Sequence, residues 1–444
     1  MQDDDRISTT IHAVKKLHTQ KYKEGEYISD SNNHLMGNTY PAFTIGGLRA
    51  EDLVKEFGSP LYVYDAEKIS SQYYRLQSAL PPGSEIKYAA KALTNISILK
   101  LVRSLGAGVD VVSVQELRLA LHAGFSPNKV MFTPNNVDFT EIEEAVSLGA
   151  EITLDNLPSL EKFGLRFGST SPVAIRLNPH IMAGGNLKIS TGHSHSKFGI
   201  SIQQQQQILS VVKKYGMDIS GLHIHTGSEI TDISVFIQVA EILLEIATYF
   251  PSLRFVDFGG GFKVAYKSGD KVTDIEELGR QLGKSVSGFN EKFGKKLEIR
   301  VEPGKFLVSE AGYLITTATV VKETPSVTFV GVNSGLNHLI RPMLYEAWHE
   351  IINASNPAGE PKQYTISGNI CETDNFGSGR LLPEVREGDL IIMLNAGAYG
   401  YTMASQYNSR FRPAEVLIKN SEAFLIRRRE TMEDLLQGQP DPEI

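Results

Sequence analysis

From Glu85 onward, short apolar runs rich in β-branched residues alternate with stretches whose apolar positions recur every three or four residues. The runs are Glu85–Ala89, Gly108–Val112, Lys129–Thr133, Glu151–Leu154, Pro172–Leu177, Ser220–Ile224, Arg254–Phe258 and Lys296–Val301. Each has the length of a buried strand. The intervening periodicity predicts helices over Val114–Ala123, Thr140–Leu148, Leu157–Phe167, Gln203–Tyr215 and Ser234–Tyr249. Strands alternating with amphipathic helices form a parallel sheet. Eight such units over roughly 220 residues predict a closed (β/α)8 TIM-like barrel, not an open sheet.

After Glu302 the pattern changes. Tyr313–Val321 and Val327–Val332 are β-branched runs with no helix between them, and Tyr364–Ser367 and Asp389–Leu394 are similar. They predict a C-terminal, mostly antiparallel β domain. Upstream, Leu48–Phe57 has helical spacing and Leu61–Tyr64 reads as a strand. The expected organisation is a flexible N-terminal arm (1–42), a barrel (43–310), a β domain (311–436) and a tail (437–444), with residues 43–64 expected to pair with the β domain. Ser29–Asn33 reads as loop within the arm. Five glutamines from Gln203 to Gln207 read as a solvated helix face.

Length and charge narrow the function. The 444 residues exceed one ordinary core, so two domains are the default. The net charge of −7, without any long Lys/Arg cluster, argues against a nucleic-acid or membrane-surface partner. No apolar run is long enough to span a bilayer. Met1-Gln2-Asp3-Asp4-Asp5 is acidic where a signal peptide is basic. The single cysteine, Cys371, can form no intrachain disulfide and fits a reducing cytoplasm.

In a (β/α)8 barrel the reacting groups sit at the carboxyl ends of the strands. Four unusual features fall there. Lys91 follows the first predicted strand, His225 the sixth and Gly259-Gly260-Gly261 the seventh, while Glu302 ends the eighth and is followed by Pro303-Gly304-Lys305. A strand-end lysine in an apolar pocket has a lowered pKa and can condense with an aldehyde. Alone it is more often a solvated surface residue. His223 and His225 share a strand face and could bind zinc, with Asp257 the nearest further ligand. No evident carboxylate or histidine set completes a cage, so no metal is expected. The glycines could be only a tight turn. They also leave backbone N–H groups open to a phosphate, which barrels hold in the loops after strands seven and eight. Glu302 before Pro-Gly reads as a fixed carboxylate. An amine, an imidazole for stacking, a phosphate cradle and a carboxylate are the contacts that pyridoxal phosphate needs.

These motifs resemble a known family. Tyr88-Ala-Ala-Lys91-Ala92, His225-x-Gly-Ser228, Gly259-Gly-Gly-Phe262 and Glu302-Pro-Gly304 are similar to those of the alanine-racemase-type, group IV pyridoxal-phosphate decarboxylases, most of all the diaminopimelate decarboxylase branch. Thr191-Gly192 with Ser196-Lys197-Phe198-Gly199 resembles that branch's loop after strand five. The likeness runs from about Phe43 to about Ile426. Leu339–Tyr345, Gly368–Asp374 and Gly397–Gly400 resemble its substrate-gripping segment, Cys-Glu motif and tyrosine loop. The resemblance implies that Lys91 holds the cofactor, His225 stacks on it, Ser228 and the glycines hold its phosphate, and Glu302 pairs with its pyridinium. Gly304 and Arg176 would also lie at the cofactor. Cys371 would donate a proton, Arg341, Tyr345 and Glu372 would bind substrate, and Tyr399 would touch cofactor and substrate. A homodimer with shared sites is implied, because the Cys-Glu segment reaches the partner's barrel. The implied reaction is decarboxylation of meso-diaminopimelate to lysine.

The chain departs from the family at Lys305, where arginine is usual. A lysine keeps the charge without the bidentate fork and still suits a phosphate or a substrate carboxylate. Thr133-Pro134-Asn135-Asn136 lacks a following lysine, and His338 stands where aspartate is common. Alternatives are a decarboxylase of ornithine, arginine or carboxynorspermidine, or a non-catalytic pyridoxal-phosphate carrier. A racemase would want a tyrosine base in place of the Cys-Glu motif. The bland readings of Cys371 and Arg341 are a buried small hydrophobe and a surface ion pair.

Overall fold

The structure is a computed structural model and describes residues 42–181, 191–193 and 195–442. Residues 1–41, with the loop expected at Ser29–Asn33, lie outside the described residues, as does the end of the tail.

A small hairpin, β1 (Thr44–Ile45) and β2 (Leu48–Arg49), leads into a helix, Ala50–Phe57, and then β3 (Leu61–Asp65). The eight expected barrel strands follow as β4 (Glu85–Ala89), β5 (Gly108–Val111), β6 (Val130–Phe132), β7 (Glu151–Leu154), β8 (Val173–Asn178), β10 (Ile219–His223), β11 (Phe255–Asp257) and β12 (Glu298–Val301). The short β9 (Ile200–Ser201) adds to the outer end of β8. Every neighbouring barrel pair is parallel; β8 pairs with β10, and β12 pairs back to β4, which closes the ring. Burial on both faces explains why these strands read as continuous apolar runs.

Side-chain caps fix where the connecting helices begin. Ser113 accepts from the Glu116 amide, Asn156 from Ser159 and Asp274 from Glu277. Each satisfies an orphan N–H at the end of a βα loop, and so helps set the rim geometry.

The lower end of the barrel is closed by charge. Lys87 on β4 is fully buried, with Nζ 2.9 Å from Glu151 and 3.3 Å from Glu85. Arg300 Nη1 lies 2.8 Å from the same Glu151, and its guanidinium stacks 3.7 Å above the Phe255 ring. Buried cations persist only when paired in this way. Above that layer, Gly221 leaves room for Phe255, since a Cβ there would come within 2.1 Å of the ring. Gly221→Ala is expected to cost about 1–3 kcal/mol through overpacking, read as a lower midpoint in urea unfolding.

The second sheet is built around β13 (Gly312–Glu323), whose neighbours include β14 (Thr328–Val332) and β18 (Leu390–Met393), both antiparallel. β15 (Ile351–Asn353) pairs with β18, and β16 (Pro361–Ser367) with β17 (Asn375–Pro383). β3 runs antiparallel to β13 and parallel to β19 (Ala414–Lys419), which pairs with β20 (Glu422–Arg427). The sheet is mostly antiparallel, with parallel pairs at β3–β19 and β14–β16. Among the described residues no helix is long and apolar enough to cross a membrane.

Candidate active site

β4 ends at Ala89 and turns through one tight helical turn, Ala90–Ala92, that carries Lys91 into a cavity of about 640 Å³. The amine lies 3.4 Å from Asp110 at the end of β5. The surroundings are not the apolar pocket in which a lysine's pKa falls. Burial acts downward, but Asp110, Tyr399 and Glu302 outweigh it and hold the ammonium above the ordinary lysine value. The second oxygen of Asp110 has no hydrogen-bond partner.

His225 stands two residues beyond β10. Its Nδ1 accepts the Gly260 amide at 3.2 Å, which leaves Nε2 as the protonated nitrogen. Burial, with Arg176 and Lys91 nearby, drives its pKa far down, so the ring is neutral. Gly260 and Gly261 are demanded by close approach. A Cβ on Gly260 would meet the Glu302 carbonyl oxygen at 2.3 Å, and one on Gly261, at φ +97°, the Gly227 carbonyl at 2.3 Å. Gly259, at φ +64°, packs against the His225 ring. Ser228, Gly261, Gly304 and Tyr399 line a deeper lobe of about 50 Å³ with Lys91, His225, Glu302 and Lys305.

Glu302 is buried, and burial with Asp110 pushes its carboxyl well up despite Lys91 and Arg176. His223 Nε2 lies 3.3 Å from it. Asp257 is pushed up to about 7 by burial and by Glu302. These three each present a ligand atom within 4.8 Å of one another. The fold thus brings together a histidine–carboxylate set that the chain order left apart, and His225 is not in it. Arg176, near the end of β8, is buried beside this group with its guanidinium 4.7 Å from the Phe198 ring centroid.

The outer cavity carries the cations. Lys305 Nζ bonds Glu229 at 2.7 Å, and burial with repulsion from Arg341 pushes its pKa down to about 8. Arg341 is buried, with Nη2 3.5 Å from the Tyr266 hydroxyl, which in turn lies 2.8 Å from Ser309 Oγ. Tyr345 and Tyr399 line the same space. Tyr399 has φ +55° and its N–H donates to the Ala92 carbonyl at 2.8 Å, so the tyrosine loop is tied to the Lys91 turn.

Cys371 and Glu372 are not brought to this cavity. Both are exposed, with Asn408 Nδ2 donating to Cys371 Sγ at 3.0 Å and the Tyr407 hydroxyl donating to Glu372 at 2.9 Å. Asp110, Glu229, Lys263 and Tyr266 are rim or cavity residues that sequence reasoning missed. Asp110 left a signal, a carboxylate inside an otherwise apolar strand.

A family model described as pyridoxal-dependent decarboxylase, pyridoxal binding domain, matches residues 66–309. A diaminopimelate decarboxylase of Methanothermobacter thermautotrophicus is 36% identical over 413 residues, covering 90% of this chain and 95% of that protein. The chain belongs to the diaminopimelate decarboxylase family. Two solved structures extend the likeness. The Helicobacter pylori diaminopimelate decarboxylase complexed with L-lysine has a TM-score of 0.81 at 32% identity, covering 87% of this chain and 98% of that one. The M. jannaschii enzyme in co-complex with L-lysine gives 0.83 at 32%, covering 90% and 96%. The cofactor of the family is pyridoxal 5′-phosphate, and the residues present suit it: an amine, a glycine-lined turn and a buried carboxylate meet where the deeper lobe opens from the main cavity.

Proposed function

We propose that this chain decarboxylates meso-2,6-diaminopimelate at its D-configured centre, giving L-lysine and CO2, the last step of lysine biosynthesis. The observation that carries the reading is the pair of buried cations, Arg341 and Lys305, in the cavity that also holds the Lys91 amine. A substrate that reacts at one end and keeps a carboxylate at the other would satisfy both ends. Ornithine and arginine end in cations and would be repelled. The relatives' names support the same substrate.

Bound pyridoxal phosphate supplies a sink for the electron pair that CO2 leaves behind. Lys91 would hold its aldehyde, Ser228 with Gly259, Gly260, Gly261 and Gly304 its phosphate, His225 one ring face, and Glu302 the pyridine nitrogen. Arg176 supports Glu302 with positive charge, and Tyr399 would contact both the cofactor and the substrate. Asp110, 3.4 Å from Nζ, orients the Lys91 side chain by pairing with its ammonium form. Arg341, Tyr345 and Lys305 hold the distal carboxylate, and Glu372 the distal ammonium. Cys371 Sγ returns a proton to the α-carbon. Since Cys371 and Glu372 are exposed on their own chain, they act in the partner's cavity of a homodimer. A lone free cysteine as proton donor suits the reducing cytoplasm.

Turnover of meso-diaminopimelate beside ornithine, arginine and carboxynorspermidine tests the substrate. Lysine and CO2 from the first alone are expected; turnover of a rival would overturn the roles of Arg341 and Glu372. A pH prediction follows from Lys305. Its ammonium is present below its pKa and lost above it, so KM rises on the alkaline side. Losing one charge-assisted bond of about 1.5–3 kcal/mol raises KM by roughly 10- to 150-fold. Lys305→Arg is expected to extend the plateau to higher pH, seen in KM measured across the alkaline range.

A further inference from the structure

We propose that Glu229 is a positioning residue that keeps Lys305 charged and aimed at the distal carboxylate of the substrate, and thereby sets the alkaline limit of binding. The inference rests on the reading of Lys305 and Arg341 as that carboxylate's partners.

The backbone gives the first sign. Glu229 directly follows Ser228 and has φ +65°. A non-glycine residue in this left-handed region costs about 1–2 kcal/mol, and such strain gathers at functional sites. Here it brings the carboxylate onto two lysines. One oxygen lies 2.7 Å from Lys305 Nζ and the other 3.7 Å from Lys263 Nζ. The Lys305 side chain is only 7% exposed.

Charge gives the second sign. Lys305 shares its cavity with Arg341, Lys263 and Lys91. Burial and Arg341 drive its ammonium toward neutrality, while Glu229 pulls the other way. Burial also acts upward on Glu229, but Lys305 and Lys263 outweigh it and keep the carboxylate ionised. Tyr266, His349, Tyr399 and Asp270 do not replace this support. The Tyr266 ring centroid lies 6.0 Å from Nζ, and Tyr266 stays protonated because burial raises its pKa. His349, edge-on to Tyr266, is pushed down to about 3 by burial and Arg341, and is neutral. Tyr399 also stays protonated, through burial. Asp270 lines the same cavity, and its carboxylate is turned to the Tyr266 and Lys267 amides.

A guanidinium at this position would need no such partner, because it does not titrate in the working range. A lysine does. Its three N–H donors let it keep Glu229 and take a substrate oxygen at once.

The test is kcat/KM for meso-diaminopimelate against pH, which reports the free enzyme, beside the dissociation constant of L-lysine by calorimetry on the holoenzyme. Glu229→Gln is expected to move the alkaline fall down by about one pH unit, a loss of roughly fivefold at the wild-type midpoint that approaches about tenfold well above it. The loss is carried by KM and by lysine affinity more than by kcat. Adding Lys305→Arg to Glu229→Gln is expected to restore the alkaline limb. An alkaline limb unchanged in Glu229→Gln would overturn the inference. So would a double variant shifted as far as the single one, since the charge at issue would not then be that of Lys305. A Lys305→Met variant with wild-type KM and lysine affinity would instead sink the carboxylate reading itself.

Discussion

Lys91→Ala is expected to abolish decarboxylation, with kcat/KM falling about 10⁴-fold or more, the scale on which a covalent group is lost. The visible absorbance expected of the wild-type protein with pyridoxal phosphate is expected to be lost with it. Lys305 is the other primary amine on the deeper lobe, but its Nζ is held by Glu229 at 2.7 Å. It is therefore placed as a cation for an anion. Lys91 has the looser ion pair, 3.4 Å to Asp110, and stands on the turn that ends β4. Borohydride reduction of the wild-type holoenzyme, followed by peptide mass spectrometry, is expected to place the cofactor on Lys91. A label on Lys305 would reverse the two roles.

The second large effect comes from mixing two inactive proteins. In the proposed homodimer, Cys371→Ala would remove the proton donor and Lys91→Ala the amine. Each homodimer is expected to be nearly inactive. In a hybrid dimer the two lesions fall in one site and the other site is intact. Random reassortment at equal amounts is therefore expected to restore about a quarter of wild-type activity. The exposure of Cys371 and Glu372, away from the cavity of their own chain, is the reason. Activity that never exceeds the sum of the separate variants would mean that each chain carries a complete site, or that Cys371 is not the donor.

The barrel strands were legible because a closed parallel sheet buries both faces of each strand, so Tyr88, Val109, Phe132 and Ile175 stand in largely apolar runs, broken only singly by residues such as Lys87, Asp110 and Arg176. The helix Ile275–Phe293 was not, because Gly279, Gly283 and Gly288 weaken its helical signal. Gly279 is there for packing, since a Cβ would come within 2.0 Å of the Ala79 carbonyl. β17 was missed for a similar reason, its Gly377 and Gly379 being poor strand formers. At the site, position on the rim revealed Lys91, His225, the glycines and Glu302. The resemblance added Arg341, Cys371 and Glu372. Asp110, Glu229 and Tyr266 escaped because their meaning lies in pairs made across elements: Asp110 with Lys91, Glu229 with Lys305, Tyr266 with Arg341. The polar character of the Lys91 pocket was hidden for the same reason, since the neighbouring carboxylates are invisible along the chain.

The most direct test of the account is the conversion of meso-diaminopimelate by the purified protein with pyridoxal phosphate, measuring lysine and CO2 together. The account predicts equal amounts of both, and none from ornithine, arginine or carboxynorspermidine. Release of CO2 from one of those rivals, with meso-diaminopimelate untouched, would contradict it.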